Sequence, residues 1–177
     1  MTNHIQHLFI INRAGSLIYS WEARIETVCV LKYSYDDSIK NQICGRETLS
    51  CVTVRFAAPT VSTNEKIILS SMFHSLFTIA VQLSPCPKSS GVEVLETTQF
   101  KLFCLQSRTG VKFVVITSAA SNIAADSLLS KMYELYTDFA LKNPFYSIDM
   151  PIRAQKFDEA IKVLLEKAEK SNGAVTF

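Results

Sequence analysis

Ser62 to Leu83, STNEKIILSSMFHSLFTIAVQL, is the stretch to which the rest of the chain must accommodate itself. Ser62 and Glu65 stand three apart, the spacing of a capping box. In that motif the hydroxyl and the carboxylate each satisfy a backbone N–H that the first helical turn leaves unpaired. After Lys66 no charge occurs until Lys88. On a 3.6-residue period Ser71, His74, Ser75, Thr78 and Gln82 form one narrow polar stripe, and apolar residues from Ile67 to Leu83 take up the remaining circumference. A helix lying on the surface of a monomer needs an apolar arc of roughly 100°. This one has far more. Three readings fit it. It is long enough for a membrane span, which takes about 20 apolar residues, although polar side chains, a histidine and Pro85 interrupt it. It also suits a helix buried wholly within one domain. The third reading lays one face on its own sheet and another on a partner protein.

The remaining composition narrows the function classes. A chain of 177 residues is one domain's worth, large enough for a real core. Apolar content is high and charge low for a soluble domain, which again points to surface covered by something else. The net charge of +2 comes with no basic block, so nucleic acid is not an expected partner. The five cysteines, Cys29, Cys44, Cys51, Cys86 and Cys104, are scattered and contain no C-x-x-C pair. With three histidines beside them they indicate neither a zinc site nor a disulfide framework, and reduced thiols in the cytosol are the simple expectation. The opening MTNHIQHLFIINRAG lacks the features of a signal peptide, and neither end carries a lipidation motif.

Strand and turn signals follow in order. His7 to Asn12 holds the apolar run Leu8-Phe9-Ile10-Ile11, Ala14-Gly15-Ser16 turns the chain, and Leu17 to Trp21 completes a hairpin. Between Glu22 and Val61, Val28 to Leu31 and the alternating Val52 to Phe56 read as strands of a small extra hairpin around a polar stretch from Asp36 to Glu47. Beyond the long helix comes a Ser-Pro-Gly loop, 84–91, and then three strands: Val92 to Glu96, Lys101 to Gln106 and Val111 to Thr117. Two amphipathic helices close the sequence. One spans about Ala124 to Lys142, with Leu128, Leu129, Met132, Leu135, Tyr136 and Phe139 on one side. The other spans about Ile152 to Lys170, before Gly173. Continuous apolar runs mark strands covered on both faces, and alternation marks edges. Leaving the small hairpin aside, these rules order the five strands 2-1-5-4-3 in an antiparallel sheet. The long helix lies on one face and the two C-terminal helices on the other, an α+β sandwich.

No residue pattern assembles an active site. His74 sits among Met72, Phe73 and Leu76 with no cysteine or carboxylate beside it to form a dyad. Cys104, inside an apolar strand, reads as a small buried hydrophobe. Gly15, Gly91 and Gly110 stand singly in turns, outside any phosphate-cradling motif. Glu93 and Glu96 read as edge charges that discourage strand pairing. No cofactor or metal is expected.

A family resemblance goes further. Ser62-Thr63-Asn64-Glu65-Lys66, Ser71 to Phe77 and Gln82-Leu83-Ser84-Pro85 resemble the long helix of synbindin, a longin-type small subunit of the TRAPP vesicle-tethering complex. The likeness continues through Ser89-Ser90-Gly91, Leu95-Glu96-Thr97, Phe100-Lys101-Leu102, Thr109 to Val115 and Asp126 to Leu129. It is strongest over Asp138 to Ser147, and runs on through Met150-Pro151-Ile152-Arg153 and Phe157-Asp158. It covers most of residues 8–22 and 52–170. Residues 23–51 match poorly. Animal members carry a larger PDZ-like insertion there, and this chain has room only for something shorter.

The resemblance implies a single longin-like (profilin-like) domain over 1–177, with 23–51 as a variable insertion between strand 2 and the long helix. It further implies a non-catalytic subunit of a guanine-nucleotide exchange factor for a Rab GTPase at the ER-to-Golgi step. The site of action would be the cytosolic face of ER–Golgi and cis-Golgi membranes, reached only through the complex. Two longin subunits would pair as a platform under the GTPase. Bet-three type subunits would flank them and supply the segment that disturbs the nucleotide site. Such a subunit carries an acyl-binding tunnel, and nothing in this sequence suggests one. The expected partner interface joins Met72, His74, Ser75 and Thr78 of the helix to the strand carrying Val92 and Val94. The alternative is a longin-type trafficking adaptor that binds SNAREs or coat proteins without a part in nucleotide exchange. A third class, a cysteine-dependent transferase, lacks a base placed to activate a thiol.

Overall fold

A computed structural model describes residues 4–23, 26–32, 51–57, 60–85, 91–121 and 123–172. The chain divides into two compact units, Met1–Ala23 with Val61–Phe177, and Arg24–Thr60.

In the smaller unit β3 (Glu26–Lys32) and β4 (Cys51–Ala57) pair antiparallel, with Val28 opposite Arg55 and Leu31 opposite Val52. The two strands expected between Glu22 and Val61 are therefore partners. The smaller unit takes in residues 24–51 and continues through β4. The polar stretch Asp36 to Glu47 lies outside the described residues.

The larger unit is built on β1 (Ile5–Ile11), β2 (Leu17–Glu22), β5 (Val94–Glu96), β6 (Phe100–Gln106) and β7 (Lys112–Ser118). All neighbours are antiparallel, in the order β2-β1-β7-β6-β5. This is the 2-1-5-4-3 arrangement expected from the strand patterns, in an α+β longin-like fold. The apolar runs occupy the centre because alternate residues of β1 and β7 are buried on opposite faces. Leu8, Ile10, Phe113 and Val115 join one core, and Phe9, Ile11 and Val114 the other.

The two cores are unequal. The first is sealed by α2 (Ala125–Tyr136), a π turn over Thr137–Leu141, and α3 (Gln155–Asn172), which contribute Leu128, Met132, Tyr136, Phe157 and Ile161. The second lies under α1 (Thr63–Leu83), which adds only Phe77 fully and Phe73 in part.

Three boundaries differ from the sequence expectation. The second helix does not stay α to Lys142, because Lys142 N donates to Thr137 O five residues back (3.1 Å), forming the π turn. The last helix starts at Gln155 rather than Ile152, since Ile152 N donates to Ile18 O (2.8 Å) and holds the chain extended along β2. The paired part of the edge strand begins at Val94 rather than Val92, although Glu93 O still accepts from Cys104 N (2.8 Å). Gly173 lies outside the described residues.

Candidate interaction surface

The first turn of α1 is fixed by its cap. Glu65 N donates to Ser62 Oγ (3.3 Å), and Ser62 N donates to Glu65 Oε2 (2.8 Å), the reciprocal pair of a capping box. One turn on, Lys66 Nζ reaches Glu22 Oε2 on β2 at 2.7 Å, and Val61 N donates to the other oxygen of that carboxylate (3.3 Å). Burial pushes the Glu22 carboxyl up, but these donors outweigh it and hold it below the usual range. The helix then runs over β2 and β1.

A narrow seam meets the sheet. Lys66, Ser70, Phe73, Phe77 and Ala80 recur at four- and three-residue steps, and each is buried or half-buried. His74 flanks that seam. Its Nδ1 lies 3.1 Å from Lys112 Nζ, whose residue on β7 is 3% exposed. The ammonium also sits over the Phe77 ring, 4.9 Å from its centroid. No carboxylate pairs with Lys112 among the described residues. Burial, then the neighbouring lysine charge, lowers the His74 pKa, and burial lowers that of Lys112. The imidazole is therefore neutral, its Nδ1 accepting from the ammonium. Gly15 makes room for the ring, since a Cβ there would come 3.0 Å from His74 Cγ.

The rest of α1 faces outward, and beside its polar stripe it carries a run of large apolar side chains. Ile68, Leu69, Met72, Leu76, Ile79 and Leu83 are all exposed, Met72 by 64% and Leu83 by 78%. The polar stripe does little to hydrate this surface. Ser71 Oγ donates to Ile67 O, Ser75 Oγ to Ser71 O and Thr78 Oγ1 to His74 O, so these hydroxyls are engaged with their own helix.

Because α1 covers β2 and β1, the other half of this sheet face stays open. A groove of about 670 Å³ runs between α1 and the sheet, walled by Leu69, Met72, Phe73, Leu76 and Ile79. Its floor is Phe9, Ile11, Leu102, Val114 and Ile116, and Val92, Leu95 and Phe100 close the far side. The reading of α1 as a helix buried wholly within one domain does not survive this exposure. By length and composition α1 could cross a membrane. Its capped start and its seam on the sheet instead make it a layer of this domain.

Of the six residues singled out in the sequence, Met72 and Ser75 are exposed along the groove and Val92 lines it half-buried. Val94 is half-exposed on β5, and Thr78 is exposed at the helix surface. His74 turns toward Lys112 and the β1–β2 turn. The strand expected at the interface, Val92 to Glu96, also carries Leu95 of the groove, whereas sequence reasoning missed Leu69, Leu76, Ile79 and Ile116. The small Ser70 and Ala80, spaced with Phe73 and Phe77, were the available signal for the inward side.

The groove offers packing rather than chemistry. Burial pushes the Cys104 thiol up to about 12, against a smaller opposing effect from Lys112, so little thiolate forms near neutrality. Among the described residues no three His, Cys, Asp or Glu side chains gather into a metal-binding group.

Comparison with known proteins gives a family for this arrangement. The model of the Sybindin-like family matches residues 5–168. The mouse protein named Trafficking protein particle complex subunit 4 is 41% identical, with 93% of this chain and 94% of that protein covered. The human protein of that name is 51% identical over 140 residues, which is 79% of this chain and 64% of the relative. Its Dictyostelium discoideum counterpart is 40% identical, covering 91% of this chain and 96% of its own length.

Proposed function

The chain belongs to the sybindin-like family, and we propose that it is a non-catalytic core subunit of a trafficking-particle tethering complex, paired through the open face of α1 with a second longin-type subunit. The observation that carries this reading is the apolar surface from Ile68 to Leu83 continuing into the α1–sheet groove. Monomeric proteins rarely leave a contiguous apolar patch of more than a few hundred Å² in water. Burying such surface yields about 25 cal/mol per Å². A helix and sheet edge from a partner would fill the groove and cover Met72, Leu76 and Ile79.

In this role the paired longin subunits form a platform for a Rab GTPase, flanked by Bet-three type subunits. The assembly acts in ER-to-Golgi transport on the cytosolic face of cis-Golgi and ER–Golgi membranes. Its membrane association runs through the complex. Nucleotide exchange needs only that the assembly bind the nucleotide-free GTPase more tightly than the loaded one. The surface supplied by this chain serves that purpose without a general acid or a nucleophile.

The test is nucleotide release from candidate Rab proteins by the reconstituted complex with and without this chain. Release that slows to the uncatalysed rate without the chain is the expected result. An unchanged rate would favour an adaptor that binds SNAREs or coat proteins.

A further inference from the structure

The connection from the π turn to α3 carries a second apolar surface, built differently from the first. Phe145 is 95% exposed there, and Leu141, Ile148 and Met150 are exposed around it. The connection is tightly braced. Asn143 Oδ1 accepts from Phe145 N (3.1 Å) and Asn143 O from Tyr146 N (3.1 Å). Tyr146 Oη donates to Met150 O (2.8 Å), and Met150 N to Ser147 O (3.0 Å). Asn12 Nδ2 in the β1–β2 turn donates to Asp149 Oδ1 (3.2 Å), and Ile152 N is bonded to β2. Pro144 and Pro151 restrict the backbone on either side of this stretch.

We propose that this braced turn is a second docking element, in which Phe145 plugs an apolar pocket of a folded protein subunit other than the one that covers α1. An aromatic side chain held out by a preformed turn loses little further freedom on binding, and such anchors dominate interface energies. Tyr146 and Ile152 of the turn pack on the core sealed by α2 and α3, whereas α1 and its groove cover the core on the opposite face of the sheet. The two surfaces therefore suit separate partners.

Charge favours a protein over a bilayer. From residue 138 to 153 there are two acids and two bases, and Lys142 is already matched by Asp138 at 2.6 Å. An anchor for an anionic membrane surface carries a cationic excess beside its apolar residues, and this turn has none. Arg153, exposed where the turn ends, has no ion pair among the described residues. The partner pocket has apolar walls and a carboxylate at its rim to meet that guanidinium.

The inference rests on the chain being a subunit of a larger assembly. The test places a photoreactive benzophenone amino acid at position 145, and separately at position 72, in the full chain within its purified native assembly. After irradiation the adducts are identified by mass. Position 145 is expected to reach one defined protein subunit, different from the subunit reached from position 72. An adduct with lipid, with a second copy of this chain or with the same subunit as position 72 overturns the proposal, as does no adduct. A chain that purifies alone sinks the subunit reading as well, whereas an intact assembly with no adduct at 145 sinks this inference only. In a second arm Phe145→Ser is expected to weaken retention of the cross-linked subunit about tenfold or more, with the α1 partner still bound and the melting temperature of the chain unchanged. Unchanged retention overturns it.

Discussion

Lys112 Nζ and His74 Nδ1 stand 3.1 Å apart, a polar contact between the helix and the first residue of the central strand beneath an otherwise apolar layer. The sheet lysine has a neutral imidazole as its acceptor, and protonating that ring would set two cations against each other. Burial also lowers the pKa of His7, partly opposed by Glu22. For both rings the folded value lies below the ordinary value of about 6.5. The unfolded chain then binds protons first, so stability is full above pH 6.5 and falls as pH drops through the folded values. Urea midpoints measured between pH 7.5 and 5 are expected to decline toward acid. His74→Gln keeps an acceptor for Lys112 without a titrating ring. It is expected to flatten part of that slope, with His7 supplying the remainder.

Gly91 sets how closely the chain passes Phe77. Its φ is +89°, and a Cβ there would sit 2.4 Å from Phe77 Cζ. Gly91→Ala must strain the backbone and displace the ring that seats α1. Overpacking of this kind costs about 1–3 kcal/mol. Chemical denaturation is expected to show a loss in that range, accompanied by weaker partner binding as the helix tilts.

Tyr136, the last residue of α2, is fully buried, and its hydroxyl has no hydrogen-bond partner among the described residues. Burial raises its pKa, with smaller contributions from Asp149 and Tyr133. Removing a buried polar atom that lacks a partner relieves a desolvation cost of about 1–3 kcal/mol. Tyr136→Phe is expected to leave stability unchanged or raise it, because the ring packing against Phe113 remains. A clear loss in thermal unfolding would mean that the hydroxyl is satisfied in solution.

Much of the larger unit was legible because its signals are local. The capping box set the start of α1, and apolar runs against alternating strands gave the sheet order. The orientation of α1 was less legible. Its own sheet and a foreign surface ask for the same apolar residues, so hydropathy does not distinguish Phe77, which is buried, from Met72, which is not. The expectation of His74 at a partner interface did not foresee its contact with Lys112 on β7, which draws the ring toward the sheet. Lys112 itself gave no signal, since a lysine at a strand end is ordinarily solvated. The three-residue β5 depends on its pairing with β6, and the π turn on a backbone bond spanning five residues, and no hydropathy period encodes either.

The exposed face of α1 is the centre of the account, and the most direct measurement is the affinity of this chain for a second longin-type subunit by sedimentation or calorimetry. Met72 and Leu76 contribute little to the fold of the lone chain. The double variant Met72→Lys, Leu76→Lys is therefore expected to unfold within about 0.5 kcal/mol of the unmodified chain per site. Its affinity for the partner is expected to fall about 100-fold or more, as two charges are forced into an apolar contact. A soluble monomer that ignores every longin partner, or a double variant that binds as tightly as the original, would contradict the account.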